Sequence, residues 1–276
     1  MMYTTYSALI SVYSKENDKY FEQALKSIFE QTVLPSEFVI IKDGKLPMIL
    51  NSIIDKYKLL FEKKKIIFIV IENQKNIGLA RSLNKGLKHC TNDLIARFDS
   101  DDINDLNRMK KTLVFFNQDQ NLSVLGSFVD EFNRDISDIT RVRQVPLSTV
   151  EMRDFAKKRN PMNHPSVTFK RVDVLKVDGY EDVPYFEDYH LWIKMILANM
   201  KLENTCEILV HYRVDKDFIT RRSGISYFFD EVNFQRRIKK MGFINEFRFL
   251  YNILTRGLVR LFPRSIIKVV YQFLRT

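Results

Sequence analysis

Three carboxylates fall within four residues at Asp99-Ser100-Asp101-Asp102. They follow directly on Leu94–Phe98, a short apolar run that reads as a strand buried on both faces. Like charges packed so closely raise one another's pKa unless a cation sits among them, and hard carboxylate oxygens suit Mg²⁺ or Mn²⁺. The turn therefore reads as a divalent-metal site with Asp99, Asp101 and Asp102 as ligands. A solvated acidic turn capping the helix predicted over Asn104–Gln118 is the other reading. Two more strand ends carry binding groups: Ser11-Val12-Tyr13-Ser14 after the first strand, and Asp43-Gly44 after the second. There is no Walker loop and no GxGxxG, so no glycine-rich cradle holds phosphate, and a nucleotidyltransferase lacks its expected signature.

The elements that must position these groups alternate. Strand patterns at Ser7–Tyr13, Glu37–Ile41, Lys65–Ile71 and Leu94–Phe98 are separated by helical patterns at Tyr20–Gln31, Pro47–Phe61 and Gly78–His89. Phe21, Leu25, Ile28 and Phe29 recur at helical spacing and give the first helix a core face. Such alternation predicts an α/β fold with a parallel sheet. In an open sheet of that kind ligands bind beyond the carboxyl ends of the strands, where the acidic turn, Tyr13 and Asp43 all fall.

With 276 residues, 45% of them hydrophobic, the chain can bury one sizeable core with a smaller appendage. Cys90 and Cys206 lie far apart without metal-ligand spacing, which predicts neither a disulfide framework nor a zinc site. The first residues show no leader pattern and the apolar stretch Ile66–Ile71 is too short to span a bilayer, so a cytoplasmic protein is expected. The net charge of +10 is concentrated from Arg236 onward, where ten basic residues face Glu246 alone. A nearly neutral body argues against a general nucleic-acid surface.

The acidic turn, with Arg108 following, is one of several segments that together resemble the family 2 glycosyltransferases of the GT-A, or nucleotide-diphospho-sugar transferase, fold. The others are Leu9-Ile10-Ser11-Val12-Tyr13-Ser14-Lys15, Ser27-Ile28-Phe29-Glu30-Gln31-Thr32 and Phe38-Val39-Ile40-Ile41-Lys42-Asp43-Gly44. Asn76-Ile77-Gly78, Asn160-Pro161-Met162-Asn163-His164-Pro165 and Glu187-Asp188 complete the set. The resemblance implies a Rossmann-like mixed sheet flanked by helices. It places the transferase domain over 1–230, with a nucleotide-sugar half at 1–102 and an acceptor half at 103–230, followed by a basic amphipathic tail at 231–276.

The resemblance also implies roles. Ser11 and Tyr13 would line the base and ribose pocket, and Asp43 would read the base, although Lys42 stands where relatives commonly carry a first acid. Asn76, Arg81 and Asp99 would face the nucleotide sugar, and Asp101, with Asp99 and Asp102 nearby, would hold Mn²⁺ or Mg²⁺. Asp188 would be the base that takes the acceptor hydroxyl's proton in a single inverting displacement, with Glu187 orienting the acceptor. His164 would border the acceptor pocket, or serve as a structural histidine. Relatives place a histidine and a serine after the strand at Ile208–Arg213; this chain departs there, leaving Arg221 and Arg222 to clamp phosphate or to stand in solvent. The implied partners are a UDP-sugar donor and a polyprenyl-diphosphate-linked acceptor in O-antigen assembly.

In the tail, Phe247, Leu250, Tyr251, Leu254, Leu258, Leu261 and Phe262 fall on one helical face, and Ile266, Val269, Val270 and Phe273 on another beyond Pro263. Arg248, Arg256, Arg260, Arg264, Lys268 and Arg275 lie mostly to the other sides. This pattern predicts peripheral attachment to the inner face of the cytoplasmic membrane. A helical hairpin packed on the body, and a non-catalytic membrane-binding protein, are the alternatives.

Overall fold

The computed structural model describes residues 4–214 and 224–257. Four strands, β1 (Tyr6–Tyr13), β2 (Glu37–Asp43), β3 (Ile67–Glu72) and β4 (Leu94–Phe98), run parallel, with β1 between β2 and β4. Helices α1 (Asp18–Phe29), α2 (Met48–Lys63) and α3 (Leu79–His89) make the crossovers. Because the chain moves from β1 outward to β2 and β3 and then returns to β4, the strand order reverses beside β1, and a crevice opens at the carboxyl ends of β1 and β4.

Beyond β4 the sheet becomes mixed. β8 (Thr168–Lys170) pairs antiparallel with β4, and β6 (Leu122–Phe132) antiparallel with β8. β9 (Lys201–Arg213) lies parallel to β6 and antiparallel to the two-residue β5 (Ile103–Asn104), while β7 (Ile139–Arg143) pairs with the far end of β6. The helix predicted from Asn104 begins instead at Arg108, as α4 (Arg108–Gln118). Ile103 and Asn104 are drawn into the sheet by His211 and Val210, and the Asn104 side chain donates to Ser27 Oγ at 2.9 Å. β9 starts earlier than the predicted Ile208 because β6 offers it a partner along its whole length.

Alternation along the parallel strands divides the core into two layers. Leu9, Val39, Ile41 and Ile95 face one side, packing with Leu83, Leu87, Trp192 and Phe234. Ala8, Ile10, Phe38, Ile40, Ala96 and Phe98 face the other, with Phe21, Leu25, Ile28 and Phe61. α5 (Thr149–Phe155), α6 (Arg171–Lys176) and α7 (Glu187–Leu197) cover the mixed half. The expected boundary at 230/231 falls inside α8 (Ile225–Lys240), whose Tyr227, Phe234 and Ile238 pack in the same layer as Trp192. α9 (Glu246–Asn252) and a π-helical turn at Ile253–Gly257 follow, tied down where Asn252 Nδ2 donates to Lys157 O and Gln235 Oε1, both at 2.9 Å.

Gly86 lies on the face of α3 that meets the sheet, and a Cβ there would collide with the fully buried side chain of Leu9 and press on Ile41. Gly86→Ala gains about 1 kcal/mol of helix propensity but overpacks a site that costs about 1–3 kcal/mol. A net loss of stability is expected, read as a lower urea midpoint at unchanged m-value.

Candidate active site

The carboxyl ends of β1, β2 and β4 open onto one cavity of about 1400 Å³. Small-ligand sites usually measure roughly 300–1,000 Å³, so this one has room for two substrates. On one side stand Ser11, Tyr13, Asp43, Asn76, Asp99 and Asp101; the mixed half contributes Asn160, His164, Glu187 and Asp188.

The acidic turn is held from three directions. The Arg97 guanidinium pairs with Asp99, and Ser100 Oγ donates to the Glu16 carboxylate. Arg213, at the end of β9, donates its backbone N–H to Asp102 Oδ1 at 2.8 Å and its Nε to the Asp101 carbonyl at 2.9 Å. That guanidinium lies over the rings of Tyr20 and Phe132, at 3.9 and 4.4 Å from their centroids. Oxygens of Asp99, Asp101 and Asp102 all lie within 4.8 Å of one another. Burial, then the charges of Asp99 and Glu16, push the Asp101 carboxyl up to about 7, and burial with Asp101 beside it raises Asp102 as well. Asp102 Oδ2 is buried with no hydrogen-bond partner. An unsatisfied, mutually repelling set of hard oxygens fits a divalent cation. Asp99 and Asp101 line the cavity, whereas Asp102, 1% exposed, stands behind them against β9.

Asp188 sits in the first turn of α7, where the helix dipole favours a carboxylate. Its Oδ2 accepts from Asn160 Nδ2 at 2.6 Å. Burial raises its pKa above the usual aspartate range, and the Asn160 hydrogen bond partly offsets this. Behind it, His164 Nε2 meets the Tyr180 hydroxyl at 2.9 Å and its ring packs edge-on to Trp192. Burial, with Arg97 nearby, holds this imidazole well below its ordinary pKa, so His164 is a neutral wall residue of the cavity.

Asp43 has a second task. Its Oδ1 accepts from Asn73 Nδ2 and Ile77 N, at 3.0 and 2.8 Å, and its Oδ2 from Gly78 N at 3.0 Å, closing the turn that launches α3. Gly78 occupies φ 89°, a region a side chain rarely enters. A carboxylate offers about four lone-pair sites, so Oδ2 keeps one for a ligand. Lys42 pairs with Glu72 on β3. Arg81, expected at the nucleotide, is not among the lining residues: it is 63% exposed and paired with Asp182 at 2.8 Å. Arg221 and Arg222 lie outside the described residues.

A sequence profile described as Glycosyl transferase family 2 matches residues 7–178. The chain belongs to that family. It is 36% identical over 267 residues to the UDP-Gal:alpha-D-GlcNAc-diphosphoundecaprenol beta-1,3-galactosyltransferase of Escherichia coli, covering 97% of this chain and 95% of that one. It is 30% identical over 270 residues to the amylovoran biosynthesis glycosyltransferase AmsE of Erwinia amylovora, covering 97% and 98%. Among solved structures, the mannosyltransferase PcManGT from Pyrobaculum calidifontis, in complex with GDP-Man and Mn²⁺, matches with a TM-score of 0.66 at 15% identity, over 91% of this chain and 68% of that one. S. aureus TarS 1-349 in complex with UDP-GlcNAc matches with a TM-score of 0.65 at 17% identity, over 93% and 72%. These likenesses establish the GT-A fold.

Three residues of this family 2 glycosyltransferase shape the site without standing out in the sequence, Arg97, Glu16 and Arg213, and Asn160, the first residue of a segment noted for its resemblance, does so through a contact with Asp188 that the segment did not announce. Arg97 is 3% exposed, and burial alone would lower its pKa, yet the Asp99 carboxylate raises it on balance. Its Nε and Nη1 have no hydrogen-bond partner. A cation at the penultimate position of an apolar strand is the one signal that could have marked it.

Proposed function

We propose that this glycosyltransferase moves a sugar, with inversion, from a UDP-sugar to a hydroxyl of a lipid-linked sugar at the inner face of the bacterial cytoplasmic membrane, in surface-polysaccharide assembly of the O-antigen type. The observation that carries this reading is that Asp99 and Asp101 of the acidic turn and the partly buried carboxylate of Asp188 line one two-substrate cavity. Tyr13, 39% exposed at the end of β1, offers a ring for the base to stack on, with Ser11 and the remaining Asp43 lone pair as polar contacts. Asp188 accepts the proton of the acceptor hydroxyl as that oxygen bonds to the anomeric carbon and the bond from that carbon to the nucleoside diphosphate breaks. Asn160 fixes the orientation of the Asp188 carboxylate, and Glu187 positions the acceptor.

Mn²⁺ or Mg²⁺, held by Asp99 and Asp101 with Asp102 behind them, would offset negative charge on the departing diphosphate. Asp101→Asn is expected to lower kcat about 10²-fold and to abolish the extra thermal stabilisation that Mn²⁺ adds to UDP-sugar binding. A variant that keeps full activity would sink this assignment.

Membrane attachment draws support from α9 and the turn after it. Phe247, Leu250, Tyr251 and Leu254 are 47–74% exposed, and Arg236, Lys240 and Arg248 lie nearby in sequence. No helix among the described residues is long and apolar enough to cross a membrane. The tail from residue 258 lies outside the described residues.

The test supplies purified protein with UDP-sugars, Mn²⁺ and N-acetylglucosamine α-linked through diphosphate to an alkyl chain, and reads the anomeric configuration of the product by NMR. Transfer with inversion is expected. Neither transfer nor stabilisation by any nucleotide sugar would overturn the reading.

A further inference from the structure

The 157–160 loop joins the reacting end of the cavity to the exposed apolar helix. Asn160 grips Asp188 at 2.6 Å. Arg159, just before it, lines the cavity, the carbonyl of Lys158 accepts from the Arg256 guanidinium, and that of Lys157 accepts from Asn252 of α9 at 2.9 Å. Thr255 and Arg256 also line the cavity, one and two residues along from the exposed Leu254, with Arg256 held from behind by the buried Glu231 carboxylate at 3.3 Å. From the other side Arg143, on β7, lines the same space, with its carbonyl accepting from Asn163 Nδ2 at 3.3 Å and its charge favouring ionised Asp188. Two residues of chain span at most about 7 Å, so the backbone that meets Arg256 at Lys158 lies within that reach of Asn160, which holds the base.

An acceptor sugar joined to lipid by a diphosphate, as in the function proposed above, presents a demanding geometry. With its hydroxyl at Asp188, the dianionic linkage lies one ring beyond, and the lipid further on. We propose that Arg143 and Arg159, backed by Arg256, form the subsite that binds the acceptor's diphosphate, and that the lipid leaves it along Leu254, Tyr251 and Leu250. Guanidinium groups suit this task because they meet phosphate oxygens in paired hydrogen bonds. The linkage is thereby told apart from the donor's diphosphate, which belongs at the acidic turn.

The experiment measures direct binding of two probes to the full chain without donor: a sugar on an alkyl diphosphate, and the same sugar on a neutral alkyl chain. Arg143→Gln and Arg159→Gln are each expected to weaken the diphosphate probe about tenfold or more and to leave the neutral probe and UDP unchanged. Arg159 is exposed, so its variant keeps the fold even if Arg143→Gln does not. Equal binding of both probes by the wild-type chain would overturn the proposal, and so would loss of UDP binding in step with the diphosphate probe. Because neither probe requires turnover, failure here is distinct from failure of the transferase reading, which the UDP-sugar assay reports.

Discussion

Asp188→Asn is expected to lower kcat about 10³-fold while UDP-sugar binding stays intact, since a positioned general base contributes typically 10²–10⁴-fold. The substitution is nearly isosteric, and its carbonyl can still accept from Asn160, so geometry survives while proton affinity is lost. The pH profile gives the same assignment a second test. As the proposed base Asp188 would work only when deprotonated, and its folded pKa is raised, chiefly by burial. Activity is therefore present above that pKa and lost as pH falls through it, so the acid limb should lie above the ordinary aspartate range and vanish from the residual activity of the variant. Activity within tenfold of wild type, with an unchanged acid limb, would remove Asp188 from the mechanism.

Arg108→Met should destabilise the fold by about 2–4 kcal/mol, the loss expected when a buried hydrogen-bond network loses its donor. Arg108 is fully buried. It donates to the Asn104 side chain, to the Arg97 carbonyl at 2.7 Å and to the Val167 carbonyl at 3.4 Å, and its guanidinium lies 4.3 Å from the centroid of Phe98. Methionine fills similar space but withdraws the donor from the Asn104 side chain and the Arg97 carbonyl, each at a cost of about 1–3 kcal/mol, while the Val167 carbonyl keeps the Arg97 backbone N–H at 3.1 Å. Urea unfolding measures the loss; a change under 1 kcal/mol would show that water or relaxation replaces the network. The Arg97 carbonyl lies one residue before Phe98 and two before Asp99, so a milder substitution that still folds should also loosen the acidic turn and weaken donor binding.

The parallel half was legible because its signals are local. Apolar runs such as Val39–Ile41 and Leu94–Phe98 are what a strand buried on both faces requires, and the residues just beyond them could be nominated from topology alone. The mixed half was harder to read. β5 is two residues long and exists only because β9 reaches it, so nothing within Ile103–Asn104 could separate it from the helix that follows. The acidic turn and Asp188 could be named from residue type and family resemblance. Their partners could not: Arg97 and Arg213 are ordinary in their local sequence and become informative only when strands distant in the chain meet, and Asn160, though part of a recognisable segment, shows its link to Asp188 only in the fold. Arg81 illustrates the converse, an arginine in a suggestive segment whose charge is met by Asp182 at the surface.

The clasp of Arg213 on the acidic turn has a bearing on how the protein is made. Asp102 accepts its backbone hydrogen bond from a residue 111 positions later. As synthesis runs from the N-terminus and early segments can fold first, β1 to β4 can assemble while the second half of the chain is still being translated. During that interval the three carboxylates repel one another with neither Arg213 nor β9 in place. A ribosome that stalls before β9 would release a chain with a respectable sheet and an unfinished catalytic edge, so quality control that senses only the first half would pass a protein that cannot work.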